Sequence, residues 1–288
     1  MMPTELDKHR YKSSVARHFS RAATTYNDYA DFQAQVLREL TAFLPDTLQC
    51  DIATPQAALL NTEAFEARGA GAVPILIDLG AGTGSSSRAL RERYGNQPHV
   101  LSMDISIDML KKLKADSVAA DVCVADFERL PVKSSSIDLF FSSLAIQWCL
   151  SVDQLFHEVS QALALNGEFV FSTLLNGSMI ELEDAWRQVD QKPHINHYLS
   201  EHDILKTVER HSFEVVSFES RKITMTFPTV KQALYSLKKI GASLVVEGQK
   251  EFMSKSKWKQ FVRAYEKHRI DEGIPLSYQV LFARIRKK

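Results

Sequence analysis

The 288-residue sequence has few cysteines, no net charge and no long apolar stretch. Its three cysteines, Cys50, Cys123 and Cys149, are far apart and form no CxxC pair. This spacing argues against a disulfide framework or a zinc site and is typical of reduced, buried thiols. No apolar run approaches the roughly 18 residues of a membrane span, and the polar first residues lack a signal peptide's apolar core. We therefore expect a cytoplasmic protein with no metal and no membrane contact.

The charge is balanced overall but unevenly distributed. Residues 1–202 hold 17 Lys and Arg against 26 Asp and Glu, whereas residues 203–288 hold 18 against 9. Such asymmetry favours an acidic partner for the basic half, although a solvated lysine-rich surface explains it as well. The sequence has no Asn-Pro-Pro-aromatic motif and no basic-aromatic stripe that would stack bases. We therefore predict no nucleic-acid partner.

Short apolar runs alternate with amphipathic stretches in the middle of the chain. The runs predict strands at 75–79, 99–103, 120–124, 137–142 and 168–174, and the stretches predict helices at 84–94, 108–114 and 151–164. This alternation is typical of a doubly wound α/β fold with a mostly parallel, Rossmann-like sheet. Ligands of such sheets bind beyond the carboxyl ends of the strands.

The flanking segments are predicted to be mainly helical. A helix over 13–44 bends or breaks at 24–28, and the connection at 45–73 holds one short helix at 56–68. After residue 175 the pattern predicts helices at 178–190, 200–210, 229–242 and 254–269, an antiparallel edge pair at 213–220 and 221–227, and a strand at 275–286. We divide the chain into an N-terminal helical segment, 1–72, and a main domain, 73–288, with lid insertions over about 176–210 and 229–270.

A glycine-rich loop, Asp78-Leu79-Gly80-Ala81-Gly82-Thr83-Gly84, follows the first predicted strand and opens a helix. Ser85 stands where a dinucleotide fingerprint has its third glycine. A dinucleotide places its pyrophosphate at this helix N-terminus, whereas S-adenosylmethionine has no phosphate and presents an ammonium that Asp78 can help to hold. A purely structural turn is the alternative.

Three further groups of polar or aromatic residues follow predicted strands. Asp104 ends the second strand and is suited to accept from ribose hydroxyls; helix capping is its alternative, but Ser106 is the better cap. Asp126 and Phe127 follow the third strand, where they meet an adenine or form an ordinary turn. Gln147 and Trp148 follow the fourth strand, where they orient a substrate or, for Trp148, pack in the core.

These motifs resemble those of known enzymes. The strings ILIDLGAGTG, LSMDIS, VADFERLP and FSSLAIQW resemble class I S-adenosylmethionine-dependent methyltransferases over residues 75–175. More narrowly, four stretches resemble the malonyl-acyl carrier protein O-methyltransferases of biotin synthesis: HFSRAATTYNDYADFQAQ (18–35), SSLAIQWC (142–149), FSTLLNGSMIELEDAWRQVDQKPHINHYL (171–199) and SLKKIGAS (236–243). The connection at 45–73 is longer than is usual for that family.

The resemblance implies methyl transfer from S-adenosylmethionine to the free carboxylate of a malonyl group on an acyl carrier protein, with S-adenosylhomocysteine as the second product. Tyr26 then closes over the cofactor. The predicted cofactor site comprises Asp78, Gly80, Ala81, Gly82, Gly84, Asp104, Ile105, Met109, Asp126, Phe127, Ser142 and Leu144.

A carboxylate is already ionised at neutral pH, so this reaction needs no general base. It does need donors or a cation around the carboxylate once water is excluded. The candidates are Gln147, Trp148, Tyr26, Arg21, His194, Asn196 and Lys238. Carrier proteins are acidic, and a basic docking face is expected at Lys255, Lys257, Lys259 and Arg263, or alternatively at Arg221, Lys222, Lys238 and Lys239.

Three other functions stay open. They are a methyltransferase acting on another small acid or a quinone precursor, a nicotinamide-dependent dehydrogenase, and a non-enzymatic assembly factor that retains the fold. Ser85 disfavours the dehydrogenase, as does the lack of an evident set of His, Lys and Tyr residues for hydride transfer. The intact glycine loop and Asp104 disfavour loss of cofactor binding.

Overall fold

A single sheet organises the computed structural model, which describes residues 5–48, 73–95, 98–116, 121–240 and 254–288. Its strands within those residues are β1 Ile75–Leu79, β2 His99–Asp104, β3 Asp121–Val124, β4 Ile137–Ser143, β5 Leu163–Leu174, β6 Phe213–Phe227 and β7 Ile274–Lys287. They lie in the order β3-β2-β1-β4-β5-β7-β6. The first five are parallel, and β7 is antiparallel to both β5 and β6. The predicted mostly parallel α/β sheet is confirmed.

Helices cover both faces of this sheet. In the described part of the chain they are α1 Glu5–Ala22, α2 Asp31–Thr41, α3 Ser85–Tyr94, α4 Ile107–Ala115, α5 Val152–Ala162, α6 Ile180–Arg187, α7 Glu201–Arg210, α8 Val230–Lys239 and α9 Lys255–Glu266. Single 3₁₀ turns lie at Asn27–Tyr29 and Ile146–Trp148. None of these described helices is long and apolar enough to cross a membrane.

The central strand β1 is buried on both faces. All five of its residues are buried, and successive side chains point to opposite sides. Leu76 joins a core that includes Val36 and Leu40 of α2, whereas Ile77 joins a second core that includes Phe156 of α5. A parallel strand covered on both faces requires a continuous apolar run, which is the pattern of Ile75-Leu76-Ile77.

The strand order reverses at β1, which pairs with β2 on one side and β4 on the other. Chain segments that leave β1 and β4 therefore diverge at the carboxyl edge of the sheet, and a crevice opens between them. The glycine loop follows β1, and the Gln147-Trp148 turn follows β4. The topology thus brings together the motifs that sequence separates by more than sixty residues.

Several predicted boundaries were wrong. Residues 213–227 form one strand instead of an edge pair, because all of β6 pairs with β7 with one register shift between Val215 and Ser217. The helix predicted to end at Asn166-Gly167 ends at Ala162. Asn166 instead takes a left-handed conformation, with φ of 60°, inside β5. The first helix begins at residue 5 instead of 13.

The N-terminal segment packs directly on the sheet. Phe32, Val36 and Leu40 of α2 lie in the same core as β1 and β4. The predicted break at 24–28 lies between the end of α1 and the start of α2 and overlaps the 3₁₀ turn. The division at residue 72 and the short helix at 56–68 lie outside the described residues. The helix predicted over 229–242 ends at Lys239. The domain division stays a prediction.

Candidate active site at the carboxyl edge of the sheet

The three loop glycines all have positive φ, but their surroundings differ. The φ values are +72° at Gly80, +53° at Gly82 and +92° at Gly84. A Cβ at Gly80 would lie 2.3 Å from Ala145 Cβ, and one at Gly84 would lie 2.7 Å from Leu113 Cγ. A Cβ at Gly82 would meet nothing within 4 Å. Two of the glycines therefore permit close packing, whereas Gly82 faces open space.

That open space belongs to a cleft at the carboxyl edge of the sheet. We call it the glycine-loop cleft. Its lining includes Lys12, Val15, Phe19, Tyr26, Gly80, Gly82, Asp104, Ile105, Met109, Asp126, Phe127, Glu128, Ser143, Leu144, Ala145, Trp148 and Cys149. A wider, outer cleft continues from Gly80 and Gly82 past Asn27, Ala81 and Ser86.

Asp104 lies at the base of the glycine-loop cleft with capacity to accept further hydrogen bonds. Its Oδ2 accepts from Gly82 N at 3.0 Å and its Oδ1 from Ser106 N at 2.7 Å. An ionised carboxylate has about four lone-pair positions, so each oxygen can still accept from a ligand hydroxyl. Burial raises the pKa of Asp104 to about 6, an effect that the two backbone donors oppose. Ser106 caps α4, as the sequence indicated.

Asp78 lies beneath the loop instead of lining a cavity. Its Oδ2 accepts from Ser86 Oγ at 2.6 Å and from Ser87 Oγ, and its Oδ1 is buried without a hydrogen-bond partner among the described residues. Burial raises the pKa of Asp78 to about 6. The carboxylate thus anchors the first turn of α3, and any contact with a ligand would run through water or the loop.

An N-terminal helix roofs the cleft. Lys12 of α1 pairs with Asp126, and its Nζ lies 3.2 Å from Glu128 Oε2. Burial opposes the charge of Lys12, but these two carboxylates outweigh it, and the pKa of Lys12 is raised. Tyr11 Oη donates to Trp148 O at 3.2 Å, and Val15 and Phe19 line the roof. Sequence reasoning missed this roof because its contacts join residues more than a hundred positions apart.

A second, aromatic cavity adjoins the first. It is lined by Phe19, Tyr26, Phe32, Gln33, Leu144, Gln147, Trp148, Leu174, Met179, Tyr198, Leu237, Ile240 and Tyr278. Four of these side chains also line the glycine-loop cleft, namely Phe19, Tyr26, Leu144 and Trp148. The two spaces are therefore separated only by a shared wall.

Two residues of the aromatic cavity have strained backbones. Leu144 has φ of 51° and Met179 has φ of 59°, in the left-handed region that non-glycine residues rarely adopt. Leu144 N donates to both Ser172 O and Ser172 Oγ at 3.1 Å, which holds the turn after β4. Such strain persists only where surrounding structure imposes it, and it is concentrated at functional sites.

The remaining predicted residues lie elsewhere. Gly84 packs against Leu113, and Ser142 is buried and donates to Leu79 O at 2.9 Å, so that its neighbour Ser143 lines the cleft instead. His194 stacks on Trp186 at 3.7 Å and bonds Asp190 at 2.7 Å. Arg21 and Lys238 are exposed. The side chains of His194, Arg21, Lys238 and Asn196 line neither the glycine-loop cleft, the outer cleft nor the aromatic cavity.

Comparisons with solved structures and with protein-family models identify the fold. The model of a methyltransferase domain matches residues 77–171. The YcgJ protein of Bacillus subtilis superposes with a TM-score of 0.56 at 13% identity, over 87% of this chain and 99% of that one. BH2331 of Bacillus halodurans superposes with a TM-score of 0.54 at 14% identity, over 74% and 92%. With the sheet order and the glycine loop, these matches define a class I, Rossmann-like methyltransferase.

Relatives that align with nearly the whole chain identify its family more narrowly. A malonyl-[acyl-carrier protein] O-methyltransferase of Marinomonas sp. (strain MWYL1) is 39% identical over 276 residues, covering 94% of this chain and 93% of that protein. Another from Hamiltonella defensa is 33% identical over 95% and 94%. The biotin biosynthesis bifunctional protein BioHC of Cellvibrio japonicus is 31% identical over 98% of this chain but only 50% of that protein. The chain belongs to the malonyl-[acyl-carrier protein] O-methyltransferase family.

Proposed function

We propose that this enzyme transfers the methyl group of S-adenosylmethionine to the free carboxylate of malonyl-acyl carrier protein, as a step of biotin synthesis. Family membership supports the proposal, and one structural observation carries it. The glycine-loop cleft and the aromatic cavity share the wall formed by Phe19, Tyr26, Leu144 and Trp148. A donor bound in the first space and an acceptor bound in the second would meet at that wall.

The residues of the glycine-loop cleft fit the proposed cofactor. Asp104 offers carboxylate lone pairs for two ribose hydroxyls, and Gly82 leaves its backbone open to a ligand. Phe127 and Met109 supply apolar surface for a purine, and Asp126 supplies an acceptor for its amino group. Lys12 pairs with the same carboxylate. When bound, the cofactor supplies an electrophilic methyl group on a positively charged sulfur.

Catalysis on this proposal rests on positioning and on exclusion of water. The carboxylate is the nucleophile and needs no deprotonation, and its oxygen must approach the methyl group in line. Tyr26 stays a neutral phenol, because burial and the charge of Asp104 raise the pKa of its hydroxyl. The phenol can therefore donate a hydrogen bond but does not act as a general base.

The charge of the substrate needs compensation inside the aromatic cavity. Among the described residues that line it, none is Lys, Arg or His. Neutral donors must therefore meet the carboxylate, and the sequence-predicted Gln147, Trp148 and Tyr26 lie at this cavity. Roles for Arg21, His194, Asn196 and Lys238 stay predictions, since no wall position supports them.

Methyl transfer from labelled S-adenosylmethionine tests the proposal directly. The acceptors to compare are malonyl-acyl carrier protein, malonyl-coenzyme A and free malonate. We expect label on the carrier-bound thioester, released by mild base as a carboxyl methyl ester requires. Absence of label on every malonyl acceptor, with cofactor binding intact, would contradict the proposed substrate and favour another small acid.

Two basic faces are proposed for carrier docking. The α9 face presents Lys255, Lys257, Lys259 and Arg263, all exposed, although Lys257 Nζ lies 3.7 Å from Asp190. The α8 face presents Lys238 and Lys239, and the Nζ of Lys239 lies 5.1 Å from the ring centre of Tyr235. Only α8 also contributes to the aromatic cavity, through Leu237 and, one residue beyond its end, Ile240. The α8 face therefore lies nearer to the aromatic cavity.

Charge reversal separates the two faces. We expect Lys238→Glu with Lys239→Glu to raise the KM for malonyl-acyl carrier protein by about tenfold, because acidic partners are steered by complementary charge. Lys255→Glu with Lys259→Glu serves as the matched pair, with an expected smaller effect. Malonyl-pantetheine, which lacks the carrier, should respond less to either pair. A larger effect from the α9 pair would assign docking to that face.

A further inference from the structure

Gln33 occupies a position in the fold that the sequence motifs did not single out. It lies on α2 and lines both the aromatic cavity and the outer cleft. Its neighbour Phe32 is buried and stacks on Tyr278 with ring centres 3.8 Å apart. This packing fixes the orientation of α2, and Gln33 lies where the aromatic cavity and the outer cleft meet.

The side-chain oxygen of Gln33 is buried and has no hydrogen-bond partner among the described residues. A buried amide oxygen without a partner costs free energy, and native structures rarely retain one without a reason. The other amides nearby are engaged. Gln147 Nε2 donates to Leu144 O at 2.8 Å and its Oε1 accepts from Thr173 at 3.4 Å, while Gln35 Nε2 donates to Glu39 at 3.2 Å.

Because no hydrogen bond fixes the side-chain oxygen of Gln33, the amide can turn either its oxygen or its nitrogen toward the cavity. The oxygen and nitrogen of a Gln side chain exchange places when the amide turns by about 180°. Since no partner fixes Oε1, this rotation breaks no hydrogen bond at that oxygen. Gln33 can therefore offer two N–H donors to an anion in the aromatic cavity.

We propose that Gln33 is a substrate-binding residue whose side-chain N–H donors hold the malonyl carboxylate in the aromatic cavity. The assignment rests on the proposed function. It supplies a neutral donor in a cavity whose described lining residues include no Lys, Arg or His. It also adds a donor beside Gln147, whose own amide nitrogen is already engaged by Leu144.

A neutral donor is suited both to binding the ionised substrate and to releasing the methylated product. A hydrogen bond to an ionised carboxylate is stronger than one to a neutral ester, so Gln33 binds substrate more tightly than methylated product. A Lys or Arg at this place would hold the carboxylate as an ion pair and compete with the positively charged sulfur for it. The amide orients the carboxylate and leaves its charge available to the methyl donor.

The test uses Gln33→Met, Gln33→Glu and the matched control Gln35→Met on the same helix. The readouts are kcat/KM for malonyl-acyl carrier protein, the Kd of S-adenosylhomocysteine and the thermal midpoint of the unliganded protein. We expect kcat/KM to fall about tenfold with Met and about hundredfold with Glu, the range for a hydrogen bond to a charged group. The Kd should stay within about twofold for all three, and the control should behave as the unaltered protein.

Three results would overturn the assignment. Unchanged kcat/KM in a folded Gln33→Met variant would remove Gln33 while leaving the proposed function intact. A change confined to the Kd of S-adenosylhomocysteine would assign the amide to the cofactor's ammonium instead. Inactivity of the unaltered protein toward malonyl-acyl carrier protein would overturn the proposed function and this assignment together.

Discussion

Replacement of Asp104 by Asn is expected to weaken cofactor binding by about hundredfold or more. The carboxylate can accept from two ligand hydroxyls while it holds Gly82 N and Ser106 N, and charge-assisted hydrogen bonds contribute about 1.5–3 kcal/mol each. Asn keeps one acceptor oxygen and has an NH2 group in place of the other, which can accept neither from its backbone N–H nor from a ligand hydroxyl. Titration calorimetry with S-adenosylhomocysteine measures the loss.

Asp108→Asn is the matched control, because that carboxylate is exposed on the first turn of α4 and bonds Lys111. It should leave the Kd unchanged. Equal affinity of the Asp104→Asn variant and the unaltered protein would show that the ligand does not use this carboxylate.

The pH dependence follows from the same group. The folded pKa of about 6 lies above the usual value of about 3.9, so Asp104 gains a proton as pH falls through 6. Cofactor affinity should then drop, by about tenfold per unit well below that pH. For stability the sign is opposite: the raised pKa contributes stability below pH ~4 that is lost as pH rises through 6. Asp104→Asn should therefore make the thermal midpoint less dependent on pH between about 4 and 6.

Gly82→Ala should abolish most cofactor binding at a small cost in stability. Its Cβ would enter open space in the cleft, so the fold tolerates it, but that space is where a ligand would approach the loop. Overpacking of this kind costs about 1–3 kcal/mol, equivalent to about ten- to hundredfold in Kd. The left-handed φ of +53° adds about 1–2 kcal/mol of strain to the folded protein.

Gly95→Ala separates these two effects. Gly95 also has positive φ and open space around a Cβ, but it lies at the end of α3 and lines none of the three spaces. It should lower the thermal midpoint as much as Gly82→Ala or more, with an unchanged Kd. If both variants bound equally well, the loop would not contact the cofactor at Gly82.

Local sequence patterns were sufficient to predict most of the sheet. Strands β1 to β4 are short, apolar runs bounded by polar residues or turns, and their predicted limits agree with the structure to within about a residue. The pattern failed where tertiary pairing overrides it. Asn166-Gly167 is a helix-stop signal in isolation, yet β5 continues through it because Leu163 pairs with Ile137 and Glu168 with Leu139.

The residues of the candidate site also divide into those that local sequence patterns predicted and those that they did not. Asp104, Phe127 and Leu144 were predicted because each follows a strand, and such positions meet at one edge of a parallel sheet. Lys12, Gln33 and Tyr198 were not, because they reach the cavities from helices and loops whose docking no local pattern encodes. A lone Gln on an amphipathic helix carries no signal in the sequence. Only the lack of a partner in the folded chain distinguishes it from Gln35.

The roof formed by α1 has a consequence for the order of assembly. Its polar contacts reach across 86 residues from Ser20 to Ser106, 114 from Lys12 to Asp126 and 137 from Tyr11 to Trp148. The ribosome therefore makes this helix before any of the strands that it will cover. Contacts of such long range form late, since the intervening chain must first be ordered. A helix that is synthesised before these strands is thus among the last elements to pack, and the cleft takes its final shape only when the sheet beneath it is complete.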